Sequence, residues 1–248
     1  MTTTSPISLV SGGMGGIGQA IATLLAHEGH RVILVNKTTD GSAFLKTLTG
    51  EGHVSCLCDL TDAQAVTSLI EQLKERYGRI DNCIHAATSP LIRKKATLMT
   101  EEDFRNQFEV TLFGGFNLFN AVVPLMKEQQ HGRIVALTSS AIESNAASGS
   151  MAGYVCAKFA LRGLLRELSK ELASFGITVN AVAPDFVRTP LHSDLPERVF
   201  ELIQDKKPTK QLVTPQDIAE TVAFLCSDAA QAINGVSIPV SYGDVSNL

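Results

Sequence analysis

The chain has no tryptophan, no surplus of positive charge and no long hydrophobic run. Its 21 Lys+Arg stand against 25 Asp+Glu, a formal net charge of −4. That mild acidity argues against a nucleic-acid partner, because a phosphate-backbone binder needs a basic face to displace counterions. No apolar stretch approaches the ~18 residues needed to span a bilayer, so no membrane partner is expected. The opening segment, residues 1–6, has neither a basic region nor an apolar one, so it does not read as a secretion signal. The five cysteines are odd in number and lie in apolar stretches, which excludes a disulfide framework. They read as buried free thiols in a reducing compartment, and the expected location is cytoplasmic. Cys56 and Cys58 have no third and fourth ligand nearby in sequence, so packing is expected there and no metal site.

What remains is ordinary globular material. Hydrophobic residues make up 44% and charged residues 19% of 248 positions. That length suits one α/β domain, here residues 1–248. Short β-branched runs at 7–10, 31–35, 53–58, 80–87, 133–137, 177–182 and 236–240 alternate with helix-length amphipathic stretches. Thr61 begins a stretch with the shape of a capping box. Thr100 is placed as the N-cap of a helix running to Gln129, with a kink or break expected at Pro124. Residues 152–174 carry a leucine stripe suited to the core or to a subunit interface. Thr214 caps a further helix, with Pro215 in its first turn. Strands joined by helical crossovers must be parallel, with helices on both faces. The expected fold is therefore α/β, a single Rossmann-type doubly wound parallel sheet. The one long irregular segment, residues 185–213, is expected to be a substrate loop.

Chemistry enters at Ser11-Gly12-Gly13-Met14-Gly15-Gly16-Ile17-Gly18, between the first strand and the first helix. Glycines there make a tight turn, admit a pyrophosphate to backbone N–H groups and let helix and strand pack closely. Two registers fit, Gly13-x-Gly15-x-x-Gly18 and Gly12-x-x-x-Gly16-x-Gly18. After the second strand, where an acid would hold a ribose 2′-hydroxyl, the chain has Asn36 and Lys37. A cation suits a 2′-phosphate, so NADP(H) is favoured over NAD(H), although Asp40 lies close in sequence.

Tyr154 and Lys158 are spaced i and i+4 on one helix face. A tyrosine normally holds its proton until pH ~10, and a fixed cation nearby favours the phenolate. Such a phenol can give a proton to a developing alkoxide or take one from an alcohol. Ser140 follows the fifth strand and could hydrogen-bond a substrate carbonyl.

Together these motifs resemble the short-chain dehydrogenase/reductases over roughly residues 5–245. The subgroup most similar in overall look is the 3-oxoacyl-carrier-protein reductases. The resemblance implies hydride transfer with NAD(P) and a homo-oligomer, a tetramer or dimer. Tyr154 would be the acid/base, with Ser140 orienting the carbonyl. Lys158 would lower the tyrosine pKa and hold the nicotinamide ribose. Gly12, Gly16, Ile17 and Gly18 would form the cofactor turn, with Asn36 and Lys37 at the ribose. Asp59 and Leu60 would contact adenine. Ala86 lies in the stretch after the fourth strand, and Pro184, Val187 and Thr189 would form the nicotinamide-side loop. The chain departs from the family pattern at four places. His85-Ala86-Ala87-Thr88 replaces Asn-Asn-Ala-Gly, Thr111 stands where the family has a fourth catalytic Asn, Asp185 replaces a Gly, and Gly15 takes a position that is often basic. His85 itself is expected to be a hydrogen-bonded structural residue.

The expected activity is that of an NADPH-dependent ketoreductase acting on a small-molecule or carrier-bound carbonyl, the latter lipid-like, polyketide or acyl-carrier-linked. The alternatives are an NAD-dependent alcohol or hydroxysteroid-type dehydrogenase, and a non-catalytic cofactor-binding scaffold. Ile142, Glu143 and Met151 are candidate substrate contacts. Arg93, Lys94, Lys95, Lys206, Lys207 and Lys210 are cations that could steer an acidic carrier.

Overall fold

The computed structural model describes residues 5–143 and 149–245, so most of the opening segment and the last three residues lie outside it. The chain alternates β1 (Ile7–Ser11), α1 (Gly16–His27), β2 (Arg31–Asn36), α2 (Ser42–Leu45), β3 (Val54–Leu57), α3 (Ala63–Tyr77) and β4 (Asn82–His85). It continues through α4 (Glu101–Phe108), α5 (Gly115–Gln129), β5 (Gly132–Leu137), α6 (Ala152–Leu172) and β6 (Ile177–Pro184). The last elements are α7 (Glu197–Lys206), α8 (Pro215–Cys226) and β7 (Ser237–Val240). Among the described residues the strands form one sheet in the order β3-β2-β1-β4-β5-β6-β7, every neighbouring pair parallel. The chain winds outward from β1 to β3, crosses back to β4 and winds outward again. A crevice forms at the carboxyl ends of β1 and β4, where the winding reverses.

Strand periodicity divides the core. Ile7 and Leu9 of β1 pack under α3, α5 and α6 with Leu69, Phe119 and Leu161. Val10 points the other way, joining Ile21 and Leu25 of α1 and Ile218 and Val222 of α8. Both faces of the sheet are thus covered, which is why its strands read as continuous apolar runs.

Several expectations are corrected. The cap of α3 is Asp62, whose carboxylate accepts from the N–H groups of Gln64 and Ala65, while the Thr61 hydroxyl turns back to Asp59. Thr100 and Thr214 do cap their helices, each in a reciprocal box with an aspartate three residues on. The helix from 101 to 129 is continuous through Pro124, and its irregularity lies upstream, in a widened π-helical turn over Glu109–Gly114. Pro124 faces solvent, where water can take the carbonyl that the missing N–H leaves free. By length and composition this helix is apolar enough to cross a membrane. Here Leu118, Phe119, Val122 and Met126 spend that apolarity against the sheet. The segment 185–213 is not irregular throughout: it contains α7, anchored by buried Phe200 against Phe186. The cysteines are all free, but Cys156 is exposed rather than buried.

Leu161 is fully buried where α6 meets the sheet. Leu161→Ala should lower unfolding free energy by ~2–5 kcal/mol in urea denaturation, against ~1 kcal/mol for removing the Thr214 cap. Equal small losses would contradict this packing.

Candidate active site

The glycine turn supplies the first wall. Gly12 has φ +68°, and a Cβ there would lie 2.7 Å from the Ala87 backbone. A Cβ on Gly18 would stand 2.2 Å from the Gly12 carbonyl. The backbone thus demands glycine at 12, which only the Gly12-x-x-x-Gly16-x-Gly18 register contains, and at 18, which both registers share. No side chain caps α1, so its first-turn N–H groups and positive dipole end open onto the cleft. The Asn36 side-chain oxygen accepts from Met14 N at 2.9 Å and braces the turn.

A cleft of ≈ 950 Å³ runs across the strand ends, from Lys37 and Asp59, past the glycine turn, to Tyr154, Lys158 and Thr189. Every cofactor-side residue named from the sequence lines it, including Ile17, Leu60, Ala86, Pro184 and Val187. A space shaped by glycines that cannot carry a Cβ, with open helix amides beneath, fits a dinucleotide. At its outer end Lys37 pairs with Asp59 at 2.7 Å, and this bond holds the Asp59 carboxyl below its ordinary range. Asp40 turns away to the start of α2, accepting from the Ser42 hydroxyl at 2.7 Å, and does not line the cleft.

At the inner end Lys158 is buried, and its Nζ donates to the Leu137 carbonyl at 2.7 Å while lying 5.6 Å from the Tyr154 ring centre. Burial pulls this ammonium down to about 7. Burial also pushes the Tyr154 phenol up, against the lowering expected from its lysine neighbour, with a Ser139 hydrogen bond and the charge of Arg93 acting the other way. The serine that hydrogen-bonds the Tyr154 phenol is Ser139, while Ser140 lines the same cleft. Successive side chains at a strand end diverge. Ser139 turns toward the tyrosine and caps the turn that follows, whereas the Ser140 hydroxyl donates to Asp185 Oδ1 at 2.9 Å.

Thr111 is the sequence candidate that does not line the cleft. Its hydroxyl meets Thr88 Oγ1 at 3.1 Å, and its carbonyl, freed in the π-helical turn, accepts from His85 Nε2 at 3.1 Å. A carbonyl can only accept, so His85 carries its proton on Nε2, and Nδ1 accepts from the Ser11 hydroxyl at 2.9 Å. Burial, with Lys158 nearby, pulls this imidazole down to about 4, so it is neutral. It ties the glycine turn to the π-helical turn beside Lys158.

Asp185 ion-pairs with buried Lys207, which also reaches Asp244 at 2.6 Å. Lys94 pairs with Asp103, and Arg93 with Asp194. Three of the six cations considered for steering a carrier are therefore neutralised locally. Met151 lines the cleft, whereas Glu143 is committed to Arg162 and Ile142 is buried in the core. Sequence reasoning missed Ser139 and the cleft position of Arg93 and His192. The adjacent Ser-Ser pair was the one available signal, and choosing between its members needed the strand's facing.

A family model described as Enoyl-(Acyl carrier protein) reductase matches residues 12–244. The chain is 33% identical over 238 residues to 3-oxoacyl-[acyl-carrier-protein] reductase FabG of Escherichia coli, covering 96% of each. Levodione reductase superposes with a TM-score of 0.90 at 29% identity, over 97% of both chains. The 3-ketoacyl-(acyl-carrier-protein) reductase of Brucella melitensis, solved in complex with NADH, gives 0.89 at 25% identity over 98% of both. Fold, cleft and relatives agree: this chain belongs to the short-chain dehydrogenase/reductase family and is an NAD(P)-dependent oxidoreductase.

Proposed function

We propose that the protein is a ketoreductase that uses NADPH, with Tyr154 as general acid. The observation that carries this reading is the pairing of a protonated, buried phenol with Ser139 and Lys158 at the end of a dinucleotide-shaped cleft. A nicotinamide cofactor supplies the hydride when bound. Gly12, Gly16 and Gly18 would admit its phosphates, Asn36 and Lys37 its ribose end, Asp59 and Leu60 its adenine, and Pro184, Val187 and Thr189 its carboxamide end. The Ser139 and Tyr154 hydroxyls would hold the substrate carbonyl oxygen, and Tyr154 would deliver a proton to it as negative charge develops. Lys158, held by the Leu137 carbonyl, would stabilise the resulting phenolate and return the proton. Thr111 would act only indirectly, through its contact with Thr88. Raised acidity thresholds favour this direction, because a general acid must enter the reaction carrying its proton.

The carbonyl-reducing names of the relatives support a carbonyl substrate, lipid-like, polyketide or carrier-bound. The cleft wall, with Leu91, Met151, Phe186 and Leu191, suits an apolar chain. Exposed Phe113, Phe116 and Phe159 on the α5 and α6 side support a homo-oligomer, since a second copy would cover them. Free thiols suit a cytoplasmic location. Two observations favour the NAD-dependent dehydrogenase as a second reading. Lys37 is already paired with Asp59, and the Brucella relative holds NADH. The intact Ser-Tyr-Lys set weighs against a non-catalytic scaffold.

Tyr154→Phe should lose ~10²–10⁴ in ketone-reduction rate while still binding NADPH, read by cofactor fluorescence and steady-state kinetics. Full retained turnover would remove Tyr154 from the chemistry. Lys37→Asp should weaken NADPH about 10-fold or more relative to NADH, the loss of one charge-assisted contact. An unchanged ratio would favour the NAD reading. Because Lys158 sits at about 7, kcat/KM for the cofactor, which reports the free enzyme, should fall as pH rises through that value. A profile flat from pH 6 to 9 would disconnect Lys158 from the reaction.

A further inference from the structure

Arg93 leaves one edge of its guanidinium nearly unused in the cleft. Its Nε donates to Asp194 Oδ2 at 3.0 Å and its Nη2 to His192 Nδ1 at 2.7 Å. Among the described residues its Nη1 meets only the Met151 thioether, at 3.6 Å, and sulfur of that kind is a weak acceptor. The imidazole of His192 accepts through Nδ1, so its proton sits on Nε2, which has no partner among the described residues. Burial and the charge of Arg93 keep that ring neutral, and Phe186 stacks on it at 4.5 Å. Arg93, Met151, His192 and Asp194 all line the same end of the cleft as Tyr154.

Position narrows the ligand further. The backbone beside Arg93 is bridged at Lys94 to Met151, the residue that precedes α6. Tyr154 follows Met151 by three residues, in the first turn of that helix. The charge of Arg93 also reaches the tyrosine phenol. The pair with Asp194, 25% exposed at Arg93 and 55% at Asp194, engages Nε and leaves Nη1 for a ligand.

We propose that Arg93, with His192 beside it, binds a carboxylate on the substrate, so that the protein reduces short oxo acids, whose carboxylate lies close to the carbonyl held at Tyr154. A planar guanidinium edge matches a carboxylate in two parallel hydrogen bonds. A carrier-linked thioester has no carboxylate at that distance, and the phosphate of its arm lies too far away. This inference rests on the ketoreductase reading and narrows it to the free acid.

The test compares acetoacetate with its methyl ester in NADPH-dependent reduction by the full-length protein. Wild type should prefer the acid. Arg93→Leu should lower the acid-to-ester ratio of kcat/KM by ~10–100-fold, and Arg93→Lys should restore part of it. Calorimetric titration of acetoacetate into wild type and Arg93→Leu gives a second readout that needs no turnover, with binding lost in the variant. An unchanged ratio together with unchanged binding would overturn the carboxylate site while leaving the ketoreductase reading standing. Reduction of neither probe, with binding still dependent on Arg93, would support the carboxylate site and sink the reductase assignment instead.

Discussion

The site depends on one buried cation held by one backbone carbonyl. Lys158 projects from α6 into the end of the sheet, and the Leu137 carbonyl at the tip of β5 accepts its hydrogen bond. A buried ammonium costs free energy unless it is hydrogen-bonded, so this contact fixes how α6 docks on the sheet. Docking in turn sets Tyr154 against Ser139. The same burial that makes the lysine sensitive near neutrality makes the phenol reluctant to ionise. For the tyrosine, desolvation outweighs the Ser139 hydrogen bond and the charge of Arg93.

Around that cation, the neighbouring groups are either neutral or ion-paired. His85 is neutral and spans the glycine turn and the π-helical turn. Lys207 is buried, which acts to lower it, but its hydrogen bonds to Asp185 and Asp244 keep it charged and compensated. Asp185 thereby joins the segment after β6 to the end of α7 and, through Lys207, to the C-terminal segment. The Ser140 hydroxyl is drawn into this network. A glycine at 185 has no side chain to accept these bonds, so the aspartate changes how the segment after β6 is held.

Much of the architecture was legible in residue order. Continuous apolar runs such as Arg31–Asn36 meant strands buried on both faces, and Thr100 and Thr214 marked helix starts through side chains that satisfy local N–H groups. Local signals failed where a distant partner decided the outcome. The π-helical turn at Glu109–Gly114 carries no proline, yet it is where the Thr111 carbonyl turns to His85, 26 residues earlier. Pro124, the visible breaker, was harmless because its face is wet. In the segment after β6, α7 was obscured by polar composition, since a single buried aromatic anchors it.

The candidate site divides in the same way. The order of residues by itself determined the glycine turn, the Tyr154–Lys158 spacing and the parallel α/β class, because each follows from backbone sterics or helix pitch over a few neighbours. Only the tertiary structure decided that Ser139 rather than Ser140 meets the tyrosine, that Lys37 pairs with Asp59, and that Arg93 stands in the cleft. These depend on which way side chains face after strands and helices from distant parts of the chain have packed, and no local spacing encodes that direction.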